Sequence, residues 1–137
     1  MYKMGLTYED FDGNERTEDF YFNLTKAEVT ELETSMNGGL SNLLEKIVNE
    51  KDNEKIISYF KMLVLKAYGQ KSLDGRIFMK NDQLRDEFAC TAAYSEIFMK
   101  LATDADIAAE FVNGILPKSL APEDHKKAEA NDKNKNS

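Results

Sequence analysis

The sequence predicts an α+β fold that is mainly helical. An N-terminal β-hairpin leads into a compact body of about five to six short helices, followed by a disordered C-terminal tail. Three observations predict it. Apolar residues alternate at spacing two around Asp12-Gly13. From Thr25 to Pro117 they recur at helical spacing, cut into short runs by cap and stop residues. Beyond Pro117 apolar residues nearly vanish. The expected organisation is one folded domain over 1–117, with the hairpin at 2–23 and the helical body at 24–117, and a disordered tail at 118–137.

Tyr2, Met4, Leu6 and Tyr8 place every second side chain on one face, as a half-buried strand does. Asp12-Gly13 tolerates the positive φ of a tight hairpin turn. Thr17 to Asn23 is the returning strand, with Phe20 and Phe22 on one face and Tyr21 on the other. The acids Glu9, Asp10, Asp12, Glu15, Glu18 and Asp19 flank the turn as a solvated rim that discourages edge-to-edge aggregation.

Thr25 opens the first helix. Glu28 completes a capping box with it, and Leu24 and Val29 stand where a hydrophobic staple closes. Val29, Leu32 and Met36 form its narrow stripe, and Asn37-Gly38-Gly39 ends it. Leu40, Leu43, Leu44, Ile47 and Val48 mark a second helix. Asp52 or Asn53 caps a third, the most apolar and therefore the central one. Its stripe runs through Ile56, Ile57, Phe60, Leu63, Val64, Ala67 and Tyr68 to a stop at Gly69. Ser72-Leu73-Asp74-Gly75 reads as a turn and Arg76 to Lys80 as a short extended piece. Asn81 or Asp82 caps a helix containing Leu84 and Phe88. Thr91 restarts one with Tyr94, Ile97, Phe98 and Leu101. Thr103 or Asp104 caps the last, which carries Ile107, Ala108, Phe111, Val112 and Ile115 and closes at Pro117. The Lys-, Asn-, Asp- and Glu-rich tail cannot bury enough surface to offset its ordering entropy.

Composition narrows the function. The chain has 137 residues and net charge −7. From Lys118 onward it carries five lysines and four acids, so the body before it is at −8. That body repels polyanions, so no nucleic-acid partner is expected. No apolar run approaches the ~20 residues of a membrane span, and Met1-Tyr2-Lys3-Met4-Gly5 lacks a signal peptide's apolar stretch. The lone Cys90 fits a reducing compartment. The cytoplasm is the expected location.

The residue types that do chemistry give no site. His125, the single histidine, stands in the tail. Cys90 has neither a base nor a cation beside it in sequence. Asp10, Asp12 and Asn14 imitate the start of a calcium loop, but the sixth and twelfth positions are Glu15 and Tyr21 where Gly and Glu are required. Glu28, Glu31 and Glu33 have no Glu-x-x-His partner on another helix, and Gly38-Gly39 lacks the Lys and Ser/Thr of a phosphate loop. No catalytic residue, cofactor or metal is expected. Phe11, Phe20, Tyr21, Phe22, Met36, Met62, Met79 and Met99 are many for so small a core. Those left outside it would suit recognition of another protein. Phe20, Tyr21, Phe22 and Met36 are the first candidates.

The run Asp10-Phe11-Asp12-Gly13-Asn14-Glu15-Arg16-Thr17-Glu18-Asp19-Phe20-Tyr21-Phe22-Asn23-Leu24-Thr25-Lys26-Ala27-Glu28 resembles the opening of tail assembly chaperones of long-tailed (siphovirus-type) bacteriophages and prophages. Gly38-Gly39-Leu40, Leu65-Lys66-Ala67-Tyr68-Gly69-Gln70-Lys71-Ser72, Asp74-Gly75-Arg76, the stretch from Ala93 to Ala105, and Phe111 to Pro117 continue it. The resemblance spans roughly 6–117 and contains no catalytic signature. It implies a non-enzymatic factor that binds the tape measure protein, with the major tail tube protein as a further partner. Such a factor keeps its client soluble and leaves before the virion is complete. The tail from Lys118 resembles the variable end at which some relatives join a frameshifted extension. Self-association through the hairpin edges stays open, and so does the alternative of a structural tail-completion or connector protein.

Overall fold

The computed structural model describes residues 1–35 and 53–117. β1 (Tyr2–Glu9) and β2 (Glu15–Phe22) form the N-terminal hairpin, followed by α1 (Lys26–Ser35). After 36–52 come α2 (Asn53–Ala67), β3 (Tyr68–Lys71), β4 (Phe78–Met79), α3 (Asp82–Ala89), α4 (Ala92–Thr103) and α5 (Ala105–Ile115). The expected second helix, the Gly38-Gly39 stop, Met36 and the tail at 118–137 lie outside the described residues.

Local signals held where their partners are local. Thr25 N–H donates to Glu28 Oε1 at 2.9 Å and Glu28 N–H donates back to Thr25 Oγ1 at 3.2 Å, closing the capping box. Leu24 and Val29 are both buried beside it. Asn81, Thr91 and Asp104 cap α3, α4 and α5 by accepting backbone N–H groups of the first turn.

The hairpin is not alone. The sheet has four strands in the order β1-β2-β3-β4, all antiparallel. The third helix was expected to run to Tyr68. It ends at Ala67, and the chain enters β3 directly, with Tyr21 opposite Gly69 and Phe22 opposite Tyr68. Distant groups take the carbonyls that the helix end leaves open. Arg85 Nε donates to Leu65 O at 3.0 Å, Lys80 Nζ to Lys66 O at 3.0 Å, and Asn23 N–H to Ala67 O at 2.9 Å. The Gly69 stop signal places the end of the helix to within two residues; the strand that follows it is not read from the sequence.

One face of the sheet carries the helices. Met4 and Leu6 of β1 and Phe20 and Phe22 of β2 are buried there. Phe22, at 0% exposure, meets Phe111 of α5 at 5.4 Å and Phe88 of α3 at 6.0 Å between ring centres. Tyr68 stacks on Phe88 at 4.0 Å. Phe60, Leu63, Val64 and Ala67 of α2 and Ile97 and Leu101 of α4 complete the same core. Ile57, expected on the buried stripe, is 43% exposed.

Candidate functional site

Strand alternation sends Phe20 and Phe22 to the helix-covered face, and both are core residues. In this fold neither ring offers more than a small part of its surface to a partner. Phe20 lies 5.8 Å from the Phe88 ring. Tyr21, one residue out of phase, stands half-buried on the opposite face. There Lys71 Nζ lies 5.7 Å from the centre of its ring. The Phe78 ring lies over Gly69, close enough that a Cβ at Gly69 would stand 2.7 Å from Phe78 Cε2. The outer face thus holds a small aromatic strip, Tyr21 and Phe78, separated by a glycine that makes room for the second ring.

The most exposed apolar side chains stand at the two hairpin turns. Phe11 is 82% exposed and Leu73 is 105% exposed. Both turns follow one plan. Asp10-Phe11-Asp12-Gly13 and Ser72-Leu73-Asp74-Gly75 each place an apolar residue second and glycine fourth. The glycines have φ of 84° and 77°, and each donates its N–H to the carbonyl of the first residue at 3.0 Å. In the first turn Asp10 Oδ1 accepts the N–H groups of Asp12 and Asn14, each at 2.9 Å. Its Oδ2 takes Arg16 Nε at 2.7 Å. In the second, Ser72 Oγ donates to Asp74 Oδ1 at 2.7 Å and accepts the Ile77 N–H at 3.0 Å. The Arg16 hydrogen bond, with the two turn amides, holds the Asp10 carboxyl below its usual range. The Ser72 hydroxyl, with the Arg76 amide, does the same for Asp74. These are stiff turns that hold a bare apolar side chain outward.

The turns share one end of the sheet. β1 and β3 are both antiparallel to β2, so both run toward their turns in the same direction. By register the first turn reaches about four residues further, roughly 13 Å at ~3.3 Å per residue. Ile77 and Met79, at the second turn and on β4, are exposed as well. The six acids of the rim run from the Phe11 turn down the hairpin as far as Asp19, opposite Gly5. Among them Asp10 is matched by Arg16, Asp19 reaches Lys3 at 3.5 Å, and Glu18 accepts the Tyr8 hydroxyl. The end as a whole is apolar at its tips and anionic between them.

The sequence named both turns and counted Phe11 among the aromatics in excess of the core, but it passed over Leu73 and did not set Phe11 among the first candidates. The signal was there in the shared pattern of an apolar residue between a turn-forming Asp or Ser and Asp-Gly.

Among the described residues no polar or charged side chain is buried, and no group of three His, Cys, Asp or Glu is placed to hold a metal ion. Cys90 is exposed between α3 and α4. The ion pair of Lys80 with Glu28 at 2.6 Å, the most buried among the described residues, is well satisfied. Lys80 Nζ also donates to Asn23 O at 2.6 Å and Lys66 O at 3.0 Å. It joins elements and presents no free atom to a ligand. No described helix is long and apolar enough to cross a membrane.

A family model described as phage tail assembly chaperone matches residues 1–137. No curated protein and no solved structure matches.

Proposed function

Since this chain belongs to the phage tail assembly chaperone family, we propose that it binds the tape measure protein and keeps it soluble while the tail tube assembles, without catalysing a reaction. The family match over the whole length carries this reading. The surface supports it. A long helical client exposes apolar stripes, and a chaperone for it needs apolar contacts within a charged exterior. Phe11 and Leu73, with Tyr21 on the outer face, offer the first, and the net charge of −7 supplies the second. Work in the host cytoplasm and absence from the finished particle belong to the same proposal.

The test is co-expression with the tape measure protein of the same phage. A soluble complex containing both chains is the expected result. A client that stays insoluble and never co-purifies overturns the proposal. Mass spectrometry of purified particles separates it from a tail-completion or connector role, which requires abundant copies in mature tails.

A further inference from the structure

β1 is an edge strand, and its free side is unusually well ordered for pairing. Its register with β2 runs without a bulge from Tyr2 opposite Phe22 to Glu9 opposite Glu15. The hydrogen-bond phase follows from the two ends of β2. Asp10 N–H donates directly to Asn14 O at 2.8 Å, so the even-numbered residues of β1 bond to β2. Asn23 N–H donates to Ala67 O at 2.9 Å, so the odd-numbered residues of β2 bond toward β3, as the same phase requires. The backbone N–H and C=O groups of Lys3, Gly5, Thr7 and Glu9 therefore point away from the sheet. All four residues are exposed, and among the described residues nothing pairs with their backbones.

Proteins blunt such edges with proline, bulges, short strands or charge. β4 is blunted by its length of two residues. β1 has eight residues, no proline and no bulge, and its charges stand only at Lys3 and Glu9. Those two charges identify the occupant. When β1 meets a second β1 antiparallel about Leu6, Lys3 falls opposite Glu9 of the other copy and Gly5 opposite its Thr7. These are the outward-pointing residues, so hydrogen-bond phase and charge agree in one register. Sliding by two residues keeps the phase but separates the opposite charges. Leu6 meets its own copy and Met4 meets Tyr8 on the helix-covered face.

We propose that this chain forms a two-fold homodimer through antiparallel β1–β1 pairing centred on Leu6, with Lys3 of each copy against Glu9 of the other. The contact is isologous, as closed symmetry requires. It leaves the turns bearing Phe11 and Leu73 unpaired, so it stands apart from the client-binding reading.

Sedimentation equilibrium of the full chain, from low micromolar to near-millimolar, reads it directly. A monomer–dimer equilibrium is expected. Lys3→Glu and Glu9→Lys each set like charges opposite one another twice per dimer and weaken it on the order of tenfold. The double variant Lys3→Glu/Glu9→Lys restores the pairs and the affinity. Circular dichroism of each variant stays that of the parent, since Lys3 and Glu9 are solvent-exposed. Amide exchange gives a second readout. The N–H groups of Lys3, Gly5, Thr7 and Glu9 exchange fast when dilute and slowly when the dimer fills. A chain monomeric throughout, an association indifferent to the charge reversals, or odd-numbered amides that stay unprotected in the associated form overturns the proposal.

Discussion

Lys80 is the residue on which most separate elements converge. Its ammonium has 14% side-chain exposure and three oxygen acceptors, from the end of β2, the start of α1 and the end of α2. A lysine needs three acceptors when water is excluded, and this one has them. Removing it leaves a partly buried carboxylate and two carbonyls without their donor. Lys80→Met is expected to cost about 3 kcal/mol, measured by urea unfolding. Burial lowers the Lys80 pKa, and Glu28 only partly counters that. On Glu28 burial favours the neutral form, but the hydrogen bonds from Lys80 and Thr25 outweigh it and hold the carboxyl below its usual range. A carboxyl that is more acidic in the folded state contributes stability above its unfolded pKa and loses it as pH falls through the folded one. Stability is therefore expected to fall as pH drops through and below the ordinary carboxylate range. Glu28→Gln should be less stable at neutral pH and show a shallower acid limb in thermal melts followed from pH 7 to about 3.

At the scale of elements, the two turns separate stability from recognition. Each is held by its own Asp or Ser, its glycine and a few backbone hydrogen bonds, and its apolar residue touches little. Phe11→Ser and Leu73→Ser should each change unfolding free energy by less than about 0.5 kcal/mol. If the turns meet the client, the pair of substitutions should weaken co-purification of the tape measure protein while the fold stays intact. Unchanged capture by the double variant would remove the tips from the interface. The strand that carries the second turn was hidden in the sequence for a physical reason. Leu65-Lys66-Ala67-Tyr68 continues a helical pattern up to the stop at Gly69, and pairing with β2, together with the capping of α2 by Arg85, Lys80 and Asn23, ends the helix one residue earlier and makes Tyr68–Lys71 a strand.

At the scale of the molecule, the core of the described residues is a layer of helices against one face of the sheet, and Phe22 stands at its centre. Its ring contacts lie on β3, α3 and α5, far apart in sequence. Phe22→Ala is expected to cost about 3–5 kcal/mol, enough to unfold much of a marginally stable domain. A guanidinium titration checks this. A loss below about 1 kcal/mol would show that the helices hold together without the sheet.

The sequence alone determined what neighbours in the chain decide: the alternation of β1 and β2, the Asp-Gly and Asn, Thr and Asp caps, the capping box at Thr25, and the family resemblance that orders these words. Such features depend on groups within four or five residues of one another, so a linear reading captures them. Only the tertiary structure decided which face of β2 the helices would cover. That choice buried Phe20 and Phe22, left Tyr21 outside, recruited β3 and β4 and set Phe11 and Leu73 bare at one end. Each outcome turns on burial shared between distant segments, a free energy that no short stretch of this chain contains.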